Sequence, residues 1–286
     1  MNTPAPAPPP AGASDGPGQK LTQALLLAID TETTGVNPDE DRVVELGGAY
    51  LLAGALHEPS LRALVDPGRY IPAGASAIHG IRNEDIEGQP TWPEIAARFK
   101  QHLDTLNPVL VGYNIHGFDA RVIDAENARH NLGWTLPRSL DVFLFVNWHR
   151  RGAPSRKLGA ICAEFGVVLP EDQAHTADAD ALATGLLLLA MVEAGLIPDD
   201  LEAAFAEQTR LAARLAAEEA ELGRFLYRDR SDGSTLRIGT GKNAGQSLEE
   251  ADEEYLRWLK GRPNLPETVR TLIKDRLGEV EQMGLF

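Results

Sequence analysis

A continuous apolar run, Leu25–Ile29, ends abruptly at Asp30 and constrains the fold of this chain more than any other segment. Five successive apolar residues fit a strand that is covered on both faces, as the central strands of helix-flanked sheets are. We therefore predict a central strand that carries Asp30 at its end.

The segments after this strand alternate between strand and helix patterns. The predicted strands and the short apolar segment that follows them are Arg42–Leu52, Leu61–Val65, Val109–Tyr113 and Leu140–Val146. Apolar residues at helical spacing predict a helix from Trp92 to Leu106, with Thr91 as N-cap and Pro93 in its first turn. Other predicted helices are Phe118–Asn131, Arg156–Phe165 and Leu201–Tyr227. This order predicts an α/β fold whose mixed central sheet is flanked by helices.

Composition divides the chain further. Residues 1–20 are rich in Pro, Ala and Gly and are predicted to be a disordered leader, because they offer nothing to bury. The remaining predicted regions are a main domain at 21–198, a long helix at 199–227, a linker at 228–234, a small module at 235–278 and a tail at 279–286.

Charge and cysteine content narrow the class of protein. The 27 Lys and Arg against 42 Asp and Glu give a net charge of −15, which argues against binding nucleic acid by bulk charge. Cys162 is the single cysteine, so no intramolecular disulfide can form. Without a signal peptide or an apolar stretch long enough to span a bilayer, we expect a soluble cytoplasmic protein with no membrane partner.

Asp30 opens an acidic motif, Asp30-Thr31-Glu32-Thr33-Thr34-Gly35. Residues two apart in an extended chain point to the same side, so Asp30 and Glu32 can direct their carboxylates at one location. The two carboxylates would repel one another unless a cation lay between them. The alternative is an ordinary solvated acidic pair, although Gly35 would let the backbone approach a ligand closely.

Two further motifs also lie at the ends of elements. Gly112–Asp119 runs from a strand into a helix, where Asp119 could equally serve to stabilise the helix dipole. In His175–Asp180 the spacing puts the two side chains about 140° apart around a helix, so His175 must precede the helix that carries Asp180. Taken alone, His175 fits an exposed loop histidine, and Asp178 or Asp180 fits an acid near a helix cap.

Together the three motifs resemble those of the DEDDh, or DnaQ-like, 3′→5′ exonucleases. They run Asp-x-Glu, Asn-x-x-x-Phe-Asp and His-x-x-x-x-Asp, and the likeness spans about Leu25 to Ala190. Ile78-His79-Gly80-Ile81 and Arg156–Cys162 are also similar to segments of the epsilon proofreading subunits of bacterial DNA polymerase III. The resemblance implies a ribonuclease H-like exonuclease domain at 21–198.

The resemblance also implies a role for each motif residue. His175 would be the general base, and the metal-binding carboxylates would be Asp30, Glu32, Asp119 and Asp180. Phosphodiester hydrolysis adds charge to an anionic group, which two divalent cations can stabilise and carboxylates alone cannot. Oxygen ligands suit Mg²⁺ or Mn²⁺, with Asp30 as the natural bridging ligand, whereas the shortage of cysteine and the scattered histidines argue against zinc. A histidine that titrates near neutrality can take the proton of the attacking water.

Substrate contacts are expected close to the motifs. In the family, residues after the first acid meet the terminal nucleotide, which implies Thr33 and Thr34, and His79 lies in the segment that closes over it. Asn114 of the second motif is assigned to the substrate as well, and Phe118 could either stack on a base or pack in the core. A basic cluster either contacts the incoming strand or balances the acids, and it comprises Arg150, Arg151, Arg156 and Lys157.

The C-terminal module has its own motifs. Gly241–Leu248 lacks the order of a phosphate-binding loop. With Tyr255–Lys260 it resembles a small module attached to some bacterial nucleases, for which nucleic-acid binding is only one guess. The i, i+3, i+4 spacing of Tyr255, Trp258 and Leu259 predicts that they form the module's core.

The last five residues resemble the pentapeptide with which bacterial enzymes dock on the sliding clamp. They read Gln282-Met283-Gly284-Leu285-Phe286, with Met283 in place of the usual Leu. The expected partner-binding residues are Gln282, Met283, Leu285 and Phe286. A frayed apolar tail is the alternative, and a replicative polymerase is a further candidate partner.

Three functions remain open from the sequence. The first is a 3′→5′ exonuclease that releases nucleoside monophosphates from DNA 3′ ends, preferably single-stranded, in proofreading or repair. The second is an exoribonuclease, because the fold serves both DNA and RNA and the motifs do not show whether the 2′-hydroxyl of RNA is recognised. The third is a catalytically idle adaptor tethered to the clamp, against which the intact motifs argue.

Overall fold

The computed structural model of the chain describes residues 18–168, 176–229 and 233–279. The chain divides into two compact units, which are Met1–Phe145 with Lys157–Gln208 and Val146–Arg156 with Thr209–Phe286. Most of the predicted leader lies outside the described residues. Its last three residues, 18–20, are described. Among them, the backbone carbonyl of Gln19 accepts a hydrogen bond from the backbone N–H of Leu201 at 2.8 Å.

A mixed five-stranded sheet lies at the centre of the first unit, in the order β3-β2-β1-β4-β5. Its strands are β1 Leu25–Thr33, β2 Val43–Leu52, β3 Ala55–Leu64, β4 Val109–Gly112 and β5 Ser139–Asp141. β1 pairs antiparallel with β2 and parallel with β4. The apolar run Leu25–Ile29 is completely buried in the central strand, which confirms the predicted α/β fold.

The hairpin of β2 and β3 is longer than the sequence predicted. β3 begins at Ala55 instead of Leu61, because Ala53 and Gly54 form a two-residue turn with φ values of 49° and 80°. Two positive φ angles match the twist of paired strands. Alanine is a poor sequence indicator of such a turn, and the predicted start of β3 was therefore wrong.

Helices flank the sheet. The helices between residues 73 and 193 are α1 Ala73–His79, α2 Trp92–Leu106, α3 Asp119–Arg129, α4 Val142–His149, α5 Leu158–Glu164 and α6 Ala177–Glu193. α2 begins after Thr91 as predicted, and the backbone N–H of Thr91 donates to the Glu94 carboxylate at 2.9 Å. The apolar segment 140–146 divides between β5 and α4. α6 packs on β1 and β2.

α7 spans Leu201–Leu222 and is shorter than the predicted helix at 199–227. Gly223, with φ of 60°, follows its last residue, and Phe225 is buried in the core of the second unit. The next residues form β6, Leu226–Arg228, which pairs antiparallel with β7, Leu236–Ile238. The segment predicted as a linker at 228–234 therefore connects two strands of one hairpin.

The second unit also contains α8, Glu253–Lys260, and α9, Glu267–Arg276. Tyr255 and Leu259 are buried in its core as predicted, but Trp258 is 55% exposed. The prediction for Trp258 was wrong, because its ring lies at the surface beside the Arg262 guanidinium, 5.1 Å from the ring centroid. Among the helices of the described residues, none has the length and apolar character needed to cross a membrane.

Candidate active site

Three acids from two separate motifs meet at one end of the sheet. One carboxylate oxygen each of Asp30, Glu32 and Asp180 lies within 4.8 Å of the other two. Asp30 and Glu32 share the face of β1 that also carries Ala28, against which α6 packs through Gly185. Asp180 comes from the beginning of α6 on that same face. The fold thus brings the first and third motifs together.

Asp119 approaches these acids from the first turn of α3. Its Oδ1 accepts hydrogen bonds from the Thr31 backbone N–H at 3.0 Å and from the Thr31 hydroxyl at 2.6 Å. Thr31 alternates with Asp30 and Glu32 along β1, so the strand positions acids on one face and fixes Asp119 from the other. The helix-dipole interpretation also holds, since Asp119 is the first residue of α3.

The acids perturb one another strongly. Burial first, and then the charges of Asp180, Glu45 and Asp119, raise the pKa of Glu32 to about 8. Burial and the neighbouring carboxylates, Asp119 foremost, raise the pKa of Asp30 well above its usual range. Burial raises the pKa of Asp119 to about 6, although the hydrogen bonds from Thr31 oppose this shift. Burial and mutual repulsion therefore disfavour the charged forms of Asp30, Glu32 and Asp119, and a positive charge beside them would relieve this.

The donor set fits a hard divalent cation. Carboxylate oxygens are the ligands that Mg²⁺ and Mn²⁺ prefer, and the three clustered oxygens are close enough to share one ion. The mutual repulsion of the acids, which a cation would relieve, is the second indication. The site could accordingly hold metal through Asp30, Glu32 and Asp180, with Asp119 adjacent.

Sequence reasoning missed Asp141, which organises the loop after β4. This buried carboxylate accepts hydrogen bonds from the backbone N–H groups of Asn114 at 2.9 Å, Phe143 at 3.1 Å and His116 at 3.3 Å. Burial raises its pKa, and His116 opposes the shift. An isolated acid at the end of a three-residue strand gave no sequence signal for this role.

The expected substrate residues lie around the acids in different environments. Thr33 and Thr34 are buried, and their hydroxyls donate to the Gly35 carbonyl at 2.6 Å and to the Asp41 carboxylate at 2.9 Å. His79 ends α1 and accepts a hydrogen bond on Nδ1 from the Ile81 N–H at 3.1 Å, while burial lowers the pKa of its imidazole.

Asn114 and Phe118 bracket the turn between β4 and α3. Asn114 is exposed with φ of 65°, and Phe118 is the half-buried N-cap residue of α3.

The basic cluster has internal partners for two of its members. Arg151 pairs with Glu218 at 2.8 Å, and its guanidinium lies 4.7 Å from the centroid of the Trp148 ring. Arg156 is buried and bonds to the side chain of Asn147 and to the Asp229 carbonyl. The Arg151–Glu218 pair favours the alternative in which the cluster balances acids, whereas Arg156 bonds to an amide side chain and a backbone carbonyl.

Two groups of predicted residues lie outside the described residues. His175 belongs to the first group, and the pentapeptide with Gln282, Met283, Leu285 and Phe286 is the second. Their assigned roles therefore remain predictions from the sequence.

The chain belongs to the RNase T exonuclease family, whose family model matches residues 27–188, more than half of the chain. The matched region contains all three motifs. The protein thus carries an exonuclease domain, and the resemblance seen in the sequence is confirmed.

Named relatives in bacteria agree with this family. A DNA polymerase III subunit epsilon-like protein of Rhodobacter capsulatus is 30% identical over 63% of this chain and 25% of its own length. The 3′-5′ exonuclease DinG of Bacillus subtilis is 31% identical over 60% of this chain and 18% of its own length. The DNA polymerase III subunit epsilon of Buchnera aphidicola is 27% identical over 60% of this chain and 74% of its own length. The first two matches therefore span only a small part of those longer proteins.

Solved structures share the fold. An exonuclease I from Methylocaldum szegediense superposes with a TM-score of 0.55 at 18% identity, covering 89% of this chain and 67% of the other. Cell-death related nuclease 4 gives a TM-score of 0.51 at 20% identity, covering 60% of this chain and 64% of the other. At these identities the likeness concerns the fold alone.

Proposed function

We propose that this protein is a metal-dependent 3′→5′ exonuclease that releases nucleoside monophosphates from DNA 3′ ends in proofreading or repair. The observation that carries the proposal is the cluster of Asp30, Glu32 and Asp180 within 4.8 Å, with Asp119 beside it. Membership of the exonuclease family and relatives named as epsilon subunits support it.

In this proposal Asp30, Glu32, Asp119 and Asp180 would hold two divalent cations, Mg²⁺ or Mn²⁺. Bound there, the cations would stabilise the attacking and the leaving oxygens of the phosphodiester. Thr31 keeps Asp119 oriented by two hydrogen bonds to one of its carboxylate oxygens.

His175 takes the proton from the attacking water in this mechanism. A histidine titrates close to physiological pH and suits that step, which typically contributes about 10²–10⁴-fold to the rate. Thr33 and Thr34 are assigned to the terminal nucleotide, and His79 to the segment that closes over it. Asn114 and Phe118 are assigned to the substrate, with Phe118 stacking on a base.

Partners and location follow from the same assignment. We expect single-stranded DNA 3′ ends as substrate, the sliding clamp as a partner of Gln282–Phe286, a replicative polymerase as a second partner, and the cytoplasm as the site of action. Weak affinity of a five-residue tail would be amplified once the active site holds a 3′ end.

One assay tests the activity and its direction. The protein is incubated with Mg²⁺ or Mn²⁺ and single-stranded DNA, duplex DNA or RNA, each labelled in separate reactions at the 5′ or the 3′ end. Stepwise shortening of 5′-labelled DNA, with early release of the 3′ label as a mononucleotide, is the expected result. Asp30→Ala is expected to abolish release, whereas Asp104→Asn, at an exposed acid of α2, leaves it unchanged.

Other outcomes would redirect the proposal. Faster trimming of RNA than of DNA would support the exoribonuclease alternative. Early release of the 5′ label would contradict the proposed polarity. Absence of metal-dependent release from every substrate would leave the idle adaptor.

A further inference from the structure

Two residues of β2 lie directly opposite the metal-binding acids of β1. Glu45 pairs with Glu32, and Gly47 pairs with Asp30, in the antiparallel register. Directly opposite residues of an antiparallel pair point to the same face of the sheet. Glu45 and Gly47 therefore stand beside the candidate metal centre, on the face that α6 covers.

Glu45 joins three elements through its two oxygens. Its side chain is 1% exposed. Oε1 accepts a hydrogen bond from Arg62 Nε of β3 at 2.7 Å, and Oε2 accepts one from the backbone N–H of Ala177 at 3.2 Å. Ala177 is the first residue of α6, where the backbone N–H has no partner inside the helix. The hydrogen-bonding capacity of the buried Glu45 carboxylate is thus met in part by the first backbone N–H of that helix.

Gly47 lets this helix start touch the strand. A Cβ atom added at Gly47 would overlap the backbone of Ala177 and Asp178. Backbone atoms cannot rotate away as a side chain can, so a larger residue would displace the helix. Arg62 is the register partner of Gly47 on β3, and its Nε lies 3.8 Å from the Asp178 carboxylate.

We infer that Glu45, Gly47 and Arg62, here called the helix anchor, are positioning residues that set the place of Asp180 in the metal centre. Asp180 follows Ala177 by three residues, a rise of about 4.5 Å along the helix, and nearly the same side of it. A shift of the helix start would therefore move this carboxylate away from Asp30 and Glu32. Groups that orient metal ligands commonly contribute about 10–100-fold to affinity or activity. The inference rests on the metal centre of the proposed function.

Manganese binding to the full chain tests the anchor directly. Gly47→Ala changes no charge and is expected to weaken Mn²⁺ binding, measured by isothermal titration calorimetry, about tenfold or more. Gly48→Ala is the matched control, because its added Cβ would meet Leu27, Ala28 and Leu61 and not α6. It is expected to bind Mn²⁺ within about twofold of wild type. Thermal melting establishes that both variants fold.

Arg62 supplies a second series should Gly47→Ala fail to fold. Arg62→Gln leaves Glu45 without its cation and is expected to weaken Mn²⁺ binding and to lower kcat with little change in KM. Arg62→Lys, which keeps a cation within reach, is expected to recover part of both. A purely structural role would lower the melting temperature without this pattern.

The outcomes separate the two ideas. Wild-type Mn²⁺ affinity in folded Gly47→Ala and Arg62→Gln proteins would overturn the anchor and leave the metal centre intact. Failure of the wild-type protein to bind Mn²⁺ would overturn the metal centre, and the anchor with it.

Discussion

At the scale of a single residue, the pKa of Glu32 depends on its burial and on the charges of the neighbouring acids. Its pKa is raised from 4.5 to about 8 by burial and by three other acids. The folded, metal-free protein therefore holds a proton that the unfolded chain releases between these two values. By linkage, the contribution of Glu32 to the stability of the folded protein is greatest below about pH 4.5 and is lost as the pH rises through 8.

We predict that the melting temperature of the metal-free protein falls between pH 5 and pH 8, and that Mg²⁺ or Mn²⁺ raises it more at pH 8. The cation replaces the proton as the neutralising charge. Differential scanning fluorimetry in EDTA and in excess metal measures both effects. Glu32→Gln should show a shallower fall, and a stability that rises over this interval in wild type would contradict the prediction.

The proposed roles of His175 and of the four acids can be distinguished by measuring catalysis and metal binding separately. His175→Ala is expected to lower kcat by about 10²–10⁴-fold, because the proposed function makes this residue the general base. Its Mn²⁺ affinity should remain close to that of wild type, since the histidine is not assigned as a ligand. Rapid-quench kinetics and calorimetry on the same preparation test this pair of statements. A parallel loss of metal binding would instead make His175 a ligand.

At the scale of elements, the turn between β2 and β3 is a local weakness. Ala53 adopts φ of 49°, a left-handed conformation that disfavours a residue with a Cβ. Asparagine tolerates this region better and leads into Gly54 as in favoured two-residue turns. The position is exposed in the sheet hairpin, away from the clustered acids.

We predict that Ala53→Asn raises the free energy of unfolding by about 0.5–1 kcal/mol and leaves nuclease activity unchanged. Gly54→Ala, at φ of 80°, is the matched opposite change and should lower stability. Urea unfolding followed by circular dichroism measures both. Equal stability of the two variants would mean that the turn does not limit the hairpin.

At the scale of the whole molecule, a net charge of −15 has to be reconciled with an anionic substrate. Four acids are assigned to cations, but the remaining excess predicts weak DNA binding that salt weakens further. Tethering to the sliding clamp would compensate for this weakness.

We therefore predict that Leu285→Ala combined with Phe286→Ala lowers affinity for a purified bacterial sliding clamp about tenfold or more, as loss of anchor residues does. Glu281→Ala, within the tail but outside the motif, is the control. Surface plasmon resonance measures the affinity, and activity on short oligonucleotides should be unaffected. Unchanged affinity in the double variant would refute clamp docking through this tail.

The sequence predicted the central strand, the helix at Trp92–Leu106 and the acids of the site, because each has a local signature. Alternation along β1 alone places Asp30 and Glu32 on one side. Glu45, Arg62 and Asp141 had no such signature, since each acts through partners distant in the chain. The end of α7 was misplaced for the same reason, as Phe225 is drawn into a core that forms only in three dimensions.

By itself, then, the sequence determined the fold class, the family and the acids of the three motifs, because hydrophobic periodicity and motif spacing are properties of the chain alone. Only the tertiary structure decided that Asp180 meets Asp30 and Glu32 within 4.8 Å, and that Glu45 and Gly47 receive the helix that carries it. The reason is physical: strand register and close backbone packing join residues that no local spacing relates.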